Sequence, residues 1–203
     1  MNDTKERILS TALRLFAEKG YEAVSVSDIA AALGVTKGAL YRHYRNKRAV
    51  FDSILARMEQ RDAEQAREHA LPEGTAEEME EAYRSASPDD MAAIAGSMVR
   101  YWPQDPFAAP FRRMLTLEQF RSAEMGALYQ QYLVSGPLGY MKELFSAIGL
   151  PEPEREAALF YGPMFLLYGV YDAAEDKAAV CALLDGLMEN ARRHLNEIRE
   201  ERA

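Results

Sequence analysis

Residues 20–51 read GYEAVSVSDIAAALGVTKGALYRHYRNKRAVF, and the order of caps and apolar positions within them decides the fold. Ser25 and Asp28 stand at capping-box spacing: the hydroxyl can take an early backbone N–H while the carboxylate reaches back to the cap. Gly34 ends that short helix, because glycine enters the left-handed conformation of a helix end without a Cβ penalty. Thr36 begins a third helix, expected through Tyr44, and Asn46 caps a fourth from Lys47 to about His69. Ala30 is small where two helices would cross closely, and Leu33, Val35 and Leu40 can bury a common seam. A helix, a turn and a second short helix make a helix-turn-helix. The outer face of the third helix opens with Lys37, Gly38 and Ala39 and continues with Tyr41, Arg42 and His43, the placement that leads a helix into a DNA major groove.

Charge agrees with this reading once the chain is divided. The whole sequence carries a net charge of −8, which taken alone argues against a polyanionic partner. Residues 1–51, however, hold nine Lys/Arg against five Asp/Glu, and the remainder fifteen against twenty-seven, so a +4 segment precedes a −12 one. From Ile29 to Phe51 there is no acidic residue, while Lys37, Arg42, Arg45, Lys47 and Arg48 fall within twelve positions. A basic run is usually a solvated face, but within a helix-turn-helix it suits a phosphate backbone.

Working outward, the spacing predicts helices almost everywhere. Ile8, Leu9, Ala12, Leu13, Leu15 and Phe16 recur at three- and four-residue steps and stop at Gly20 behind Lys19. The rod from Lys47 closes at Leu71, Pro72, Glu73 and Gly74. Further starts stand at Thr75 and at Ser87–Pro88. Tyr101–Pro106 (YWPQDP) breaks the pattern, and Gly136–Pro137 bends or divides a helix from about Ala123 to Ile148. Two long helices follow, over about 154–172 and 175–199. With no alternating strand pattern and no repeat, the expected fold is all-α, with a DNA-binding head at 1–50 and a helical body at 51–203.

Several function classes are excluded by what the residues lack. The longest nearly unbroken apolar run, Met164–Tyr171, is eight residues against the roughly 20 needed to span a bilayer. The N-terminus reads as an amphipathic helix rather than a signal peptide, and the lone Cys181 closes no disulfide within the chain, so the expected address is cytoplasmic. His43, His69 and His194 are scattered, and no HExxH, CxxC, GxSxG or phosphate-binding glycine loop occurs. The chain is expected to be no enzyme and to need no metal or cofactor.

The quoted stretch, with Phe16, Gly20, Ile29, Ala30, Gly34, Val35, Leu40–Tyr41 and Lys47, resembles the N-terminal domain of the TetR family of transcriptional regulators over about residues 5–55. The family usually has Thr at the place of Val24, leaving Ser25 as cap donor here, and the acidic residue common after the Lys is here Arg48. The resemblance implies that Lys37, Gly38, Ala39 and Tyr41 face bases or nearby phosphates and that Ser25, His43 and Lys47 contact the DNA backbone. Tyr41 could instead pack on the first helix, and Arg45 and Arg48 stand equally between phosphate contact and plain solvation.

For the body the resemblance implies a small-molecule site, with ligand binding changing the separation of two DNA-binding heads. Fourteen of the twenty aromatic residues lie between Tyr101 and Tyr171, with Met98, Met114, Met125, Met141 and Met164 beside them, a mixture that lines adaptable pockets and also fills ordinary cores. Candidate ligand residues are Tyr101, Trp102, Phe111, Glu118, Tyr129, Tyr132, Phe165 and Tyr168, with Glu118 either meeting a cation or facing solvent. Val180, Leu184, Leu187, Ala191 and Ile198 form a stripe that can meet a second copy in a homodimer. The expected function is sequence-specific regulation of transcription by a ligand-responsive repressor. It would release a palindromic double-stranded operator when a small molecule binds, with no membrane partner. The competing class is a helical small-molecule carrier or enzyme with a vestigial head.

Overall fold

The computed structural model describes residues 3–68, 78, 81–82, 96 and 99–200. The expected helix starts at Thr75 and Ser87, the break at 71–74, the helix end at His69, and Met98 lie outside the described residues. Among the described residues the fold is all-α, and no strand occurs. The helices are α1 (Asp3–Lys19), α2 (Val26–Leu33), α3 (Lys37–Tyr41), α4 (Lys47–Glu68), α5 (Ala108–Glu118), α6 (Ala123–Leu133), α7 (Ser135–Ala147), α8 (Pro153–Ala173) and α9 (Lys177–Glu200). None of them is long and apolar enough to cross a membrane. Two expectations shift. Residues 101–104 are helical, so the break falls at 105–107 rather than across all of YWPQDP, and α3 is five residues long because the chain turns at 42–43.

The chain folds as two compact units, Met1–Gln65 with Pro106–Tyr129, and Ala66–Asp105 with Gln130–Ala203. Packing therefore does not cut the chain at residue 50: α5 and most of α6 fold with the first four helices.

In the first unit α1 packs on α2 and α5. Its three- and four-residue spacing puts Ile8, Leu9, Ala12, Leu13, Leu15 and Phe16 on the buried side. From α4 come Val50, Phe51, Ile54 and Met58, and from α5 Phe111, Met114 and Leu115. The turn between α1 and α2 is fixed from every side. Gly20 takes φ 86°, where a side chain would be strained, and a Cβ there would lie 2.7 Å from Glu118 Oε1. The Tyr21 ring sits 5.1 Å from both Phe16 and Phe51, its N–H donates to Glu118 Oε1 at 3.0 Å, and its carbonyl accepts from Lys47 Nζ at 2.8 Å. Glu118, expected to meet a cation or to face solvent, is 2% exposed: it accepts from the Tyr21 N–H and has the Arg121 guanidinium of the same chain 3.7 Å away.

In the second unit α8 packs on α7 and α9. One cluster joins Val99, Met164, Tyr168, Leu184 and Met188, and another Met141, Phe145, Leu150, Ala157 and Leu195. The helix expected over 123–148 is divided at Val134 (φ −128°, ψ −86°). Close approach holds the break, since a Cβ on Gly136 would meet the Gln131 carbonyl at 1.8 Å. The Leu133 carbonyl is satisfied from outside its own helix, accepting from Tyr161 Oη at 2.9 Å in a buried contact.

Each unit thus contains a buried polar link that can be removed singly. Glu118→Ala is expected to cost about 1–3 kcal/mol by stranding the Tyr21 N–H, and Glu118→Gln, which keeps a carbonyl acceptor, less. Tyr161→Phe is expected to cost a similar ~1–3 kcal/mol by stranding the Leu133 carbonyl. Urea unfolding of the three variants beside the wild type reads these losses, and equal midpoints for all four proteins would contradict both assignments.

Candidate nucleic-acid interface

The interface is built on two caps and a turn. Ser25 Oγ accepts from the Asp28 N–H at 3.2 Å, and the Ser25 N–H donates to Asp28 Oδ2 at 2.7 Å, the reciprocal capping box expected from the sequence. The Ser25 hydroxyl and N–H hold the Asp28 carboxyl below its usual range. A depressed carboxyl stabilises the fold above its unfolded value and loses that contribution as pH falls through the folded one. Gly34 takes φ 70° at the end of α2, and Thr36 Oγ1 accepts from the Ala39 N–H at 3.2 Å to start α3. Asn46 Oδ1 does the same for α4 through the Ala49 N–H at 2.8 Å.

These elements orient α3. It buries Leu40 alone, and Lys37, Gly38 and Tyr41 are exposed, with Lys37 Nζ 5.8 Å from the centre of the Tyr41 ring. Tyr41 stands 45% exposed. Among the described residues a Cβ on Gly38 would find only Thr36 Oγ1, at 4.0 Å, so none of them requires a glycine at that place. Ala39 and His43 are half-buried and line a shallow cleft with Thr4, Arg7, Ile8, Leu33, Val35 and Leu40. The expected seam is thereby only partly formed: Leu40 is buried, Leu33 half-buried and Val35 exposed. Ser25 is exposed beside the start of α2, and Arg42 and Arg45 are exposed after α3.

The two cations that open α4 are engaged within the protein. Lys47 donates to the carbonyls of Tyr21 at 2.8 Å and Glu22 at 3.3 Å, with its ammonium 4.2 Å from the Tyr21 ring centre and 3.7 Å from the Glu22 carboxylate. Arg48 is half exposed and paired with carboxylates rather than simply solvated. Its guanidinium donates in bidentate fashion to Glu124 of α6 at 2.9 and 2.6 Å, and through Nε to Asp52 at 2.6 Å. Reading the sequence missed Glu124 and the role of Glu118, because their partners lie 76 and 97 residues away. Glu118 did leave a signal: it continues the buried positions Phe111, Met114 and Leu115 of α5 at helical spacing, where a carboxylate needs a partner.

The ligand candidates separate. Phe111, Glu118 and Tyr129 belong to the first unit, and Tyr101, Trp102, Tyr132, Phe165 and Tyr168 to the second, so the eight do not line one site within either unit. Phe111 is fully buried against the core of the first unit. In the second, half-buried Trp102 and Phe165 border the cluster that contains Tyr168, and Tyr101 meets Trp102 edge to face at 5.9 Å. Of the stripe expected on α9, Leu187 and Ala191 are half-buried. Val180 and Leu184 are buried, Leu184 in the cluster with Tyr168, and Ile198 packs beside the cluster of Phe145 and Leu195, so these three are engaged within the chain. On α8 and α9, the large apolar side chains left exposed among the described residues are Leu159, Leu166 and Val170 of α8 and Leu183 of α9.

Comparison with known proteins places this geometry. Residues 8–54 match the family model for bacterial regulatory proteins of the tetR family. The chain is 48% identical over 50 residues to the uncharacterized HTH-type transcriptional regulator YerO of Bacillus subtilis, a match covering 25% of this chain and 17% of that one. It is 29% identical over 122 residues to the HTH-type transcriptional regulator AcrR of Shigella flexneri, covering 60% of this chain and half of that one. The matched stretches thus span half or less of these relatives. Among solved structures, the fatty acid degradation regulator FadR of Bacillus halodurans shares the fold at a TM-score of 0.64 and 18% identity, over 95% of this chain and 96% of that one. The FadR of Bacillus subtilis in complex with stearoyl-CoA does so at 0.59 and 19%, over 91% and 95%. The capped helix-turn-helix thus falls within the residues that match the tetR-family model, and the all-α fold of the described residues is the one these solved structures share.

Proposed function

We propose that the chain is a ligand-responsive repressor of transcription that acts in the cytoplasm, is not an enzyme and reads a palindromic duplex through α3. The observation that carries this reading is Gly38. A glycine in a helix costs up to ~1 kcal/mol relative to alanine, and no neighbour among the described residues needs the space that it leaves. A surface that comes from outside does: a major-groove edge closing on the exposed front of α3 leaves no room for a Cβ. Lys37 then addresses a guanine edge, Ala39 and Tyr41 a base or nearby phosphate, and Ser25 and His43 the DNA backbone. Lys47 reaches the backbone only with the ammonium proton that the two carbonyls leave over, so its main part is to hold the turn beside Ser25.

A two-fold assembly places two such helices on half-sites related by the same symmetry. The outward Leu159, Leu166 and Val170 of α8 and Leu183 of α9 favour a homodimer through these two helices, with the face displaced from the buried Val180–Leu184 stripe. An apolar or aromatic small molecule is the effector class that suits the half-buried Tyr101, Trp102 and Phe165 around the second unit's cluster. An effector that favours the arrangement incompetent for DNA lowers operator affinity by the same factor by which DNA lowers its own.

Two measurements test this. Lys37→Ala is expected to cost about 1–3 kcal/mol on the operator and far less on scrambled DNA. Gly38→Ala should stabilise the fold by up to ~1 kcal/mol while weakening operator binding, a combination that no purely structural role produces. If both variants bind the operator like the wild type, α3 is not the reading element. For assembly, sedimentation of Leu166→Glu/Leu183→Glu is expected to show a folded monomer where the wild type is a dimer, and an unchanged dimer would reject this face.

A further inference from the structure

Two carboxylates at the corner between α5 and α6 close on the head, and they differ in kind. Glu118 is buried and serves the Tyr21 backbone. Glu124 is about half exposed, as is its partner Arg48, so their pair can open without disturbing the core. Arg48 is the second residue of α4, next to Lys47, at the edge of the candidate interface. Three of its N–H donors go to carboxylates of this chain, two to Glu124 and one to Asp52. The hydrogen bonds from Arg48 lower the Glu124 carboxyl's affinity for protons, so Glu124 stays ionised and the three side chains together carry a net charge of −1. A phosphate approaching the start of α4 therefore meets Arg48 already neutralised, with one carboxylate in excess.

We propose that Glu124 competes with a DNA phosphate for Arg48, so that the α5–α6 corner keeps one backbone contact of each head in reserve. This inference rests on the DNA-binding function proposed above. A planar guanidinium takes carboxylate and phosphate with the same bidentate fork, so the exchange needs side-chain rotation and no refolding. Exposed ion pairs are weak and screened by salt, so a phosphate at close range is a real competitor. While Arg48 stays on Glu124 it displaces no counterions from DNA; released, it adds about one phosphate contact per head.

The test uses the 203-residue chain, a duplex from the region upstream of its own gene and a scrambled duplex, with binding measured across ~50–200 mM salt. Wild type, Glu124→Gln, Arg48→Ala, the double variant and Lys37→Ala are compared after thermal melting has shown each to be folded. Glu124→Gln is expected to bind both duplexes roughly two- to fivefold more tightly per head, with a salt slope steeper by about 0.9 per head. Arg48→Ala should abolish that gain in the Glu124→Gln background and cost less in the wild type. No gain from Glu124→Gln, or an equal cost of Arg48→Ala in both backgrounds, overturns the latch. If Lys37→Ala still weakens only the upstream duplex, the DNA-reading function stands without it. Failure of the wild type to bind either duplex at the lowest salt overturns both.

Discussion

The turn at Gly20–Glu22 is the constraint on which the head depends. Its Tyr21 N–H is taken by Glu118, its carbonyl by Lys47 and its ring by Phe16 and Phe51, so the end of α1, the start of α4 and the end of α5 meet at one residue. Burial also pushes the Tyr21 phenol above its usual range. The Ser25 cap begins four residues later, so the direction in which α2 leaves, and with it the turn into α3, is set by how firmly this residue is held. Neutral partners would hold it less well: hydrogen bonds to charged groups are worth about 1.5–3 kcal/mol net, roughly twice the ordinary value, and here both backbone groups of Tyr21 have a charged partner.

This arrangement divides the labour among cations that look alike in sequence. Lys37, Arg42, Arg45, Lys47 and Arg48 fall within twelve positions, yet Lys47 works inward on the turn and Arg48 sideways on Glu124, while Lys37, Arg42 and Arg45 are exposed. The electrostatic footprint of the head is consequently smaller than its basic count. A bare count of Lys and Arg overstates the counterions that such a surface releases, because only cations brought against phosphate release them.

What was legible in the sequence is what is decided locally. The caps at Ser25, Thr36 and Asn46 and the stops at Gly20 and Gly34 are interactions over three or four residues, and the structure forms each of them. Contacts across long separations were not legible. Sequence leaves Arg48 between phosphate and solvent because Glu124, its partner in the fold, is 76 residues away, and residue type alone draws ligand candidates from a stretch that folds into two units. Phe111 shows the limit of that choice: an aromatic on a helix with a buried face fills the core as readily as it lines a pocket.

The stripe on α9 makes the same point about helical period. Val180, Leu184, Leu187, Ala191 and Ile198 do lie on one side of the helix, but periodicity identifies an apolar face and not the neighbour that covers it. Here the covering neighbours are Met164 and Tyr168 at one end and Phe145 at the other, all from the same chain. A second apolar surface is then recognised only by subtraction, from side chains that the first packing leaves exposed. Leu166 at 68% and Leu183 at 58% exposed are such remainders, large apolar groups on two adjacent helices whose inner faces are already filled. Covering them with a second copy removes apolar area from water without competing with the core, so one unit can build its interior and still offer an interface.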